Sequence, residues 1–90
     1  MSRVEILNKI KEVLKDQFGT YEEDEGNRFI NALDETYVLD GFVSKFAMDE
    51  LDKIELIMKL ESKFCISIRD EDEEKFVTLG DVVSYVEGRL

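Results

Sequence analysis

Histidine and proline are absent from this 90-residue sequence, and cysteine occurs once, at Cys65. Without histidine there is no His-based nucleophilic triad and no His-ligated metal. A lone cysteine excludes an internal disulfide and any multi-cysteine metal site, and it suits a reducing compartment. With no proline, no helix is interrupted by one. No apolar run approaches the roughly twenty residues of a membrane span. The opening MSRVEILNKI lacks the apolar core and small-residue cleavage site of a secretory signal. The expectation is a cytoplasmic protein with no membrane partner.

Positive charge is scarce as well. Twelve Lys and Arg face twenty-two Asp and Glu, a formal charge of −10. Such a surface repels nucleic-acid phosphates and anionic lipid, so its natural partners are proteins with basic surfaces. What is present is an ordinary apolar share of 43%. That suffices for a single small domain over residues 1–90, monomeric and marginally stable.

The periodicity is helical. Ser2 and Glu5 have capping-box spacing. Ile6, Leu7, Ile10, Val13, Leu14 and Phe18 then share one face at about 100° per residue, and Gly19 is a natural stop. This predicts a helix over 3–18. TYEEDEGN, 20–27, reads as a solvated turn. Phe29, Ile30, Leu33 and Tyr37 predict a short helix over 28–37, with Asn27 as N-cap and Asp40-Gly41 as its end. Asp49 caps a helix over 50–63. CISI is a short extended piece with Ile66 and Ile68 on one side, and Cys65 reads as a small core residue. RDEDEEKF is a charged turn or a single helical turn. Its acids alternate like a calcium loop, but Lys75 stands where the EF-hand glycine belongs. Thr78 and Asp81 have capping spacing. Leu79, Val82, Val83, Val86 and Leu90 form the stripe of a last helix over 79–89. The fold class is all-α: three main helices plus short ones, with a long first loop containing an extra short helix.

The helix over 50–63 has two apolar arcs. With Leu51 at zero and about 100° per residue, Leu56, Ile57, Leu60 and Phe64 lie between roughly 140° and 240°, beside Lys53. They should face the core. Leu51, Ile54 and Met58 occupy a second arc from roughly 300° to 360°. Glu50 and Glu61 separate the arcs, and Asp52, Glu55 and Lys59 flank the far side. Either the second arc packs under residues 28–46 or it is an exposed, acid-rimmed strip for docking partners.

FAMDELDKIELIMKLESKF resembles the start of the second helix in acyl carrier proteins. Asp49, Leu51, Asp52, Glu55, Leu56, Met58, Leu60, Glu61 and Phe64 stand in register with the family pattern. The resemblance continues through IRDEDEEKFVTLGDVVSYV, with Arg69 where a proline is common, and includes QFG at the end of the first helix. The segment from Thr20 to Lys45 is longer than the usual first loop. The resemblance implies an acyl-carrier-like bundle. It also implies a serine, in Asp-Ser-Leu, carrying acyl groups on a phosphopantetheine arm through a phosphodiester. Glu50 occupies that position, and a carboxylate cannot form a stable phosphodiester.

The expectation is a non-enzymatic binding module with no catalytic residue, no metal and, as written, no cofactor. Asp49, Leu51, Asp52, Ile54, Glu55, Met58 and Glu61 would dock partners, possible ones being biosynthetic enzymes. Glu50 either stabilises the helix start through the macrodipole or supplies a phosphate-like negative charge. The alternative is a genuine acyl or aminoacyl carrier of fatty-acid, polyketide or related biosynthesis whose attachment serine is replaced by Glu50. Phosphopantetheine would then be its cofactor if position 50 were Ser. A third reading is a structural subunit that uses the fold as a packing element.

Overall fold

The computed structural model describes residues 1–18 and 25–90. In chain order its helices are α1 Arg3–Phe18, α2 Glu25–Asn31, α3 Leu39–Lys45, α4 Glu50–Phe64, α5 Asp70–Glu73 and α6 Leu79–Glu87. Among the described residues there is no strand, only an isolated antiparallel bridge between Val38 and Thr78. The all-α class is therefore observed.

Three capping boxes set the starts of the long helices. Ser2 Oγ accepts the Glu5 N–H at 3.2 Å, and the Glu5 carboxylate accepts the Ser2 N–H at 3.5 Å. Asp49 with Asp52, and Thr78 with Asp81, repeat the arrangement at α4 and α6. Each satisfies backbone donors that a helix start leaves without intrahelical partners. Inward from these starts, Ile6, Ile10, Val13 and Leu14 of α1 meet Leu60 and Phe64 of α4 and Val82, Val83 and Val86 of α6. These are the stripes predicted from periodicity. Leu90 is the exception: α6 ends at Glu87, Gly88 caps it, and Leu90 lies exposed beyond.

The segment before α4 differs from expectation. The predicted helix over 28–37 is instead α2, Glu25–Asn31, and Asn27 lies within it rather than capping it. The Ala32 and Leu33 N–H groups close its last turn on the Phe29 and Ile30 carbonyls. Asp34 then accepts both the N–H and hydroxyl of Thr36, a side-chain turn that redirects the chain. Tyr37 still packs edge-on against Phe29, with ring centroids 5.5 Å apart. Helical spacing of the apolar residues thus arose from two segments facing one core. Residues 19–24 of the predicted solvated turn lie outside the described residues; Glu25, Gly26 and Asn27 belong to α2.

Asp40 and Gly41 do not end a helix but sit inside α3. The glycine serves close packing: a Cβ there would meet Tyr37 Oη at 2.9 Å. Phe42 of α3 is buried among Phe18, Phe29 and Phe46, with centroid separations from 4.5 Å to 6.4 Å. Aromatic packing of this kind contributes beyond its buried area, and it anchors the extra segment to α1. Cys65 is exposed rather than core. It adopts the left-handed conformation (φ 55°) as the C-cap of α4, which turns its side chain outward while Phe64 remains buried. The charged DEDE run is a single helical turn, α5.

Candidate functional site at the start of α4

The site is built by a reversal of the chain between α3 and α4. Met48 donates its N–H back to the Val43 carbonyl at 3.0 Å, and Ala47 takes a left-handed φ of 49°. The chain then leaves α3 and presents Asp49 in extended conformation. Asp49 Oδ1 accepts the Asp52 N–H at 2.8 Å, and Asp52 Oδ2 accepts the Asp49 N–H at 3.1 Å. Gln17 Nε2 donates to the Asp52 carbonyl at 2.9 Å, which ties this first turn to α1. Lys59 pairs with Asp16 and Lys63 with Glu12, at 3.1 Å and 2.8 Å, so α1 holds the far flank of α4 as well.

Held this way, α4 buries Leu60 and Phe64, half-buries Leu56 and Ile57, and turns its second arc outward. Leu51, Ile54 and Met58 are 61%, 54% and 62% exposed. The second arc therefore does not pack under residues 28–46. Glu50 and Glu55 are exposed beside it.

The structure does not treat every predicted docking residue alike. Asp49 and Asp52 have their carboxylates in the capping box. Glu61 reaches toward the core side, where it accepts the Ile68 N–H at 2.9 Å and pins the segment after α4. Glu50, Leu51, Ile54, Glu55 and Met58 remain together on the open face.

Sequence reasoning missed a cavity. It lies between α3, α4 and α5, has a volume of about 640 Å³ partly open to solvent, and reaches inward to Leu14, Leu60 and Val82. Glu50, Ile54, Asp70 and Glu73 line it nearer the surface. The only sequence signal was that Leu56 and Ile57 lie at opposite edges of the inner arc, which leaves a helix face wider than one stripe. Burial raises the Glu73 pKa, and the neighbouring Asp70, Glu50 and Glu74 reinforce the shift against the opposing effect of Lys53. Among the described residues, no group of three or more His, Cys, Asp or Glu is arranged to hold a metal ion.

The acyl carrier protein of Thermotoga maritima is 34% identical to this chain over 91 residues, spanning 99% of the chain and 96% of that protein. The chain belongs to the acyl carrier protein family. The acyl carrier protein of an Exiguobacterium species is 48% identical over 50 residues, 56% of this chain and 63% of that protein. That of Wolinella succinogenes is 54% identical over 46 residues, 51% of this chain and 60% of that protein. No protein-family model matches the chain. The family's phosphopantetheine arm requires a hydroxyl at its attachment point. Glu50 is the exposed first residue of α4 and offers a carboxylate rather than a hydroxyl. No described helix is long and apolar enough to cross a membrane.

Proposed function

We propose that this chain is a non-enzymatic, cytoplasmic docking member of the acyl carrier protein family that bears no phosphopantetheine arm. It engages proteins with basic surfaces, biosynthetic enzymes of the kind that serve carriers, through the open face of α4. The supporting observation is the combination at that face. Leu51, Ile54 and Met58 are exposed beside Glu50 and Glu55, and in this reading Glu50 stands where the family's hydroxyl would be. Apolar contact supplies affinity, and the acids supply orientation and association rate. Glu50 also places a negative charge at the positive end of α4.

The test is incubation with coenzyme A and a broad-specificity phosphopantetheinyl transferase, read by intact mass. The native chain should gain nothing, and Glu50→Ser should gain one arm. A stoichiometric gain on the native chain would overturn the reading and direct attention to another serine, such as exposed Ser44 in α3. Full-length similarity to a carrier favours a second reading, a genuine acyl carrier with its attachment serine replaced. It shares the Glu50→Ser result, but a serine codon at position 50 in the native gene would establish it.

A further inference from the structure

The first N–H groups of a helix have no intrahelical acceptor and need partners from elsewhere. α6 supplies one such partner itself, since Thr78 Oγ accepts the Asp81 N–H. For its first two residues the acceptors come from a distant segment. Leu79 donates its N–H to the Tyr37 carbonyl at 3.0 Å, and Gly80 donates to the Glu35 carbonyl at 2.8 Å. α3 has the converse arrangement. Its N-cap, Val38, makes no side-chain cap bond, and the Leu39 N–H donates instead to the Val77 carbonyl at 2.8 Å. Two helices far apart in the chain therefore cap each other, around the Val38–Thr78 bridge. Little apolar burial holds this junction. Leu33 before it and Phe42 after it are buried, but Asp34, Thr36, Val38 and Asp40 are exposed and Tyr37 and Leu39 only half-buried. One side chain spans it. Arg3, at the start of α1, donates to the Glu35 carboxylate through Nε and Nη2. It also reaches the Gly80 carbonyl at 3.4 Å, Ser84 Oγ at 3.1 Å and the Glu87 carboxylate at 3.0 Å. Gly80 is part of the fit, because a Cβ there would lie 3.0 Å from the Glu35 carbonyl oxygen. We propose that the starts of α3 and α6 form one reciprocal cap that opens and closes as a unit, with Arg3 as its latch, and that α3 loosens beside the start of α4 when the latch releases. The link to α4 is the Met48 N–H, which bonds to the Val43 carbonyl of α3. The ion pairs of Arg3 are partly exposed, so salt screens them. Salt thus loosens the cap locally while it relieves the repulsion of the whole acidic molecule. The inference does not depend on the docking reading, because it concerns the isolated chain.

The test is native-state amide hydrogen exchange of the isolated chain, read residue by residue by NMR at low and at high salt. The Leu39, Leu79 and Gly80 amides should share one opening equilibrium. That opening should exceed the one for the buried residues Val13 and Val83 and depend little on added urea, the mark of a local event. Arg3→Gln should speed exchange of the three amides about three- to tenfold, the range of a net hydrogen-bonded contact. The Met48 amide should follow them. Salt should speed the three amides in the native chain and leave them unchanged in Arg3→Gln, while Val13 and Val83 slow in the native chain. Gly80→Ala should speed exchange at Leu39, Leu79 and position 80, although alanine by itself favours a helix. That sign separates the clasp from helix propensity. Different openings for the three amides, or exchange only with the steep urea dependence of Val13 and Val83, would overturn the proposal. So would amides that ignore both Arg3→Gln and salt, or a Met48 amide that does not follow the other three.

Discussion

At the residue scale, α4 offers a direct comparison between neighbours on opposite faces. Met58 is 62% exposed and Leu60 is 4% exposed. Replacing Leu60 with Ala leaves a cavity in the core and should cost about 2–5 kcal/mol. Met58→Ala opens no cavity, so it should change stability little while weakening partner binding by about 1–2 kcal/mol. Chemical denaturation and partner titration of the two variants, side by side, check this. If Met58→Ala unfolds as readily as Leu60→Ala, the outer strip is core and the docking reading loses its basis. Glu55→Lys should mainly slow association and flatten its salt dependence, since Glu55 makes no structural contact of the kind that holds Glu61 to Ile68. Glu61→Ala, which removes the acceptor for the Ile68 N–H, should instead weaken the fold. A sequence wheel placed Glu61 among the rim acids because it records angle alone. The length of the side chain and an N–H needing an acceptor seven residues on were not visible at that level.

At the element scale, the cap of α4 supports both stability and the geometry of the proposed docking face. Asp49→Ala removes the acceptor for the Asp52 N–H and should cost about 0.5–2 kcal/mol, whereas Asp49→Asn retains an acceptor and should cost much less. Urea denaturation of the two variants checks this; equal losses would show that charge at the helix start matters more than the cap bond. Such caps were legible in the sequence because their information is local: S-x-x-E, D-x-x-D and T-x-x-D each carry their own partners. The long helices were legible for the same reason, their stripes running from about two turns in α6 to about four in α1 and α4. Residues 28–46 were not. There, Gly41 is set by the approach of Tyr37, and the Leu39 N–H bonds to the Val77 carbonyl at 2.8 Å. Glycine in such a place reads as a helix end when its distant neighbour is unknown. Cys65 misled in the same way: a small apolar residue beside Phe64 resembles core until the left-handed cap turns it outward. The cavity was illegible because it is a property of three elements together.

At the scale of the whole molecule, charge dominates. A formal −10 is held within a radius of gyration of 12.3 Å. That is comparable with the Debye length of about 8–10 Å at ordinary ionic strength, so the acids repel one another across the molecule. Added salt should therefore raise the thermal midpoint, and a fall would contradict the repulsion argument. The pH dependence has a definite shape. Glu73 has its folded pKa raised above 4.5, chiefly by burial and then by Asp70. Its contribution to stability is thus present below 4.5 and lost as pH rises through the raised folded value. Asp81 has its folded pKa lowered below 3.8 because its carboxylate accepts the Thr78 and Val77 N–H groups, and Asp34 is lowered likewise by Thr36. Glu12 is lowered below 4.5 by its hydrogen bond to Lys63. Those three contribute above the unfolded values, and they lose the contribution as pH falls through the folded ones. Moderate acidification from neutrality should therefore raise the midpoint, through Glu73 and through falling net charge. Acidification below about 3.8 should lower it as the caps and the α1–α4 ion pair are protonated. Thermal melts across this range at fixed ionic strength should show a maximum on the acid side of neutrality. Glu73→Gln should flatten the rise without moving the fall, and Asp81→Asn should do the reverse. A midpoint that declines steadily from neutral pH downward would mean that the capped carboxylates outweigh both burial of Glu73 and the −10 of the whole chain.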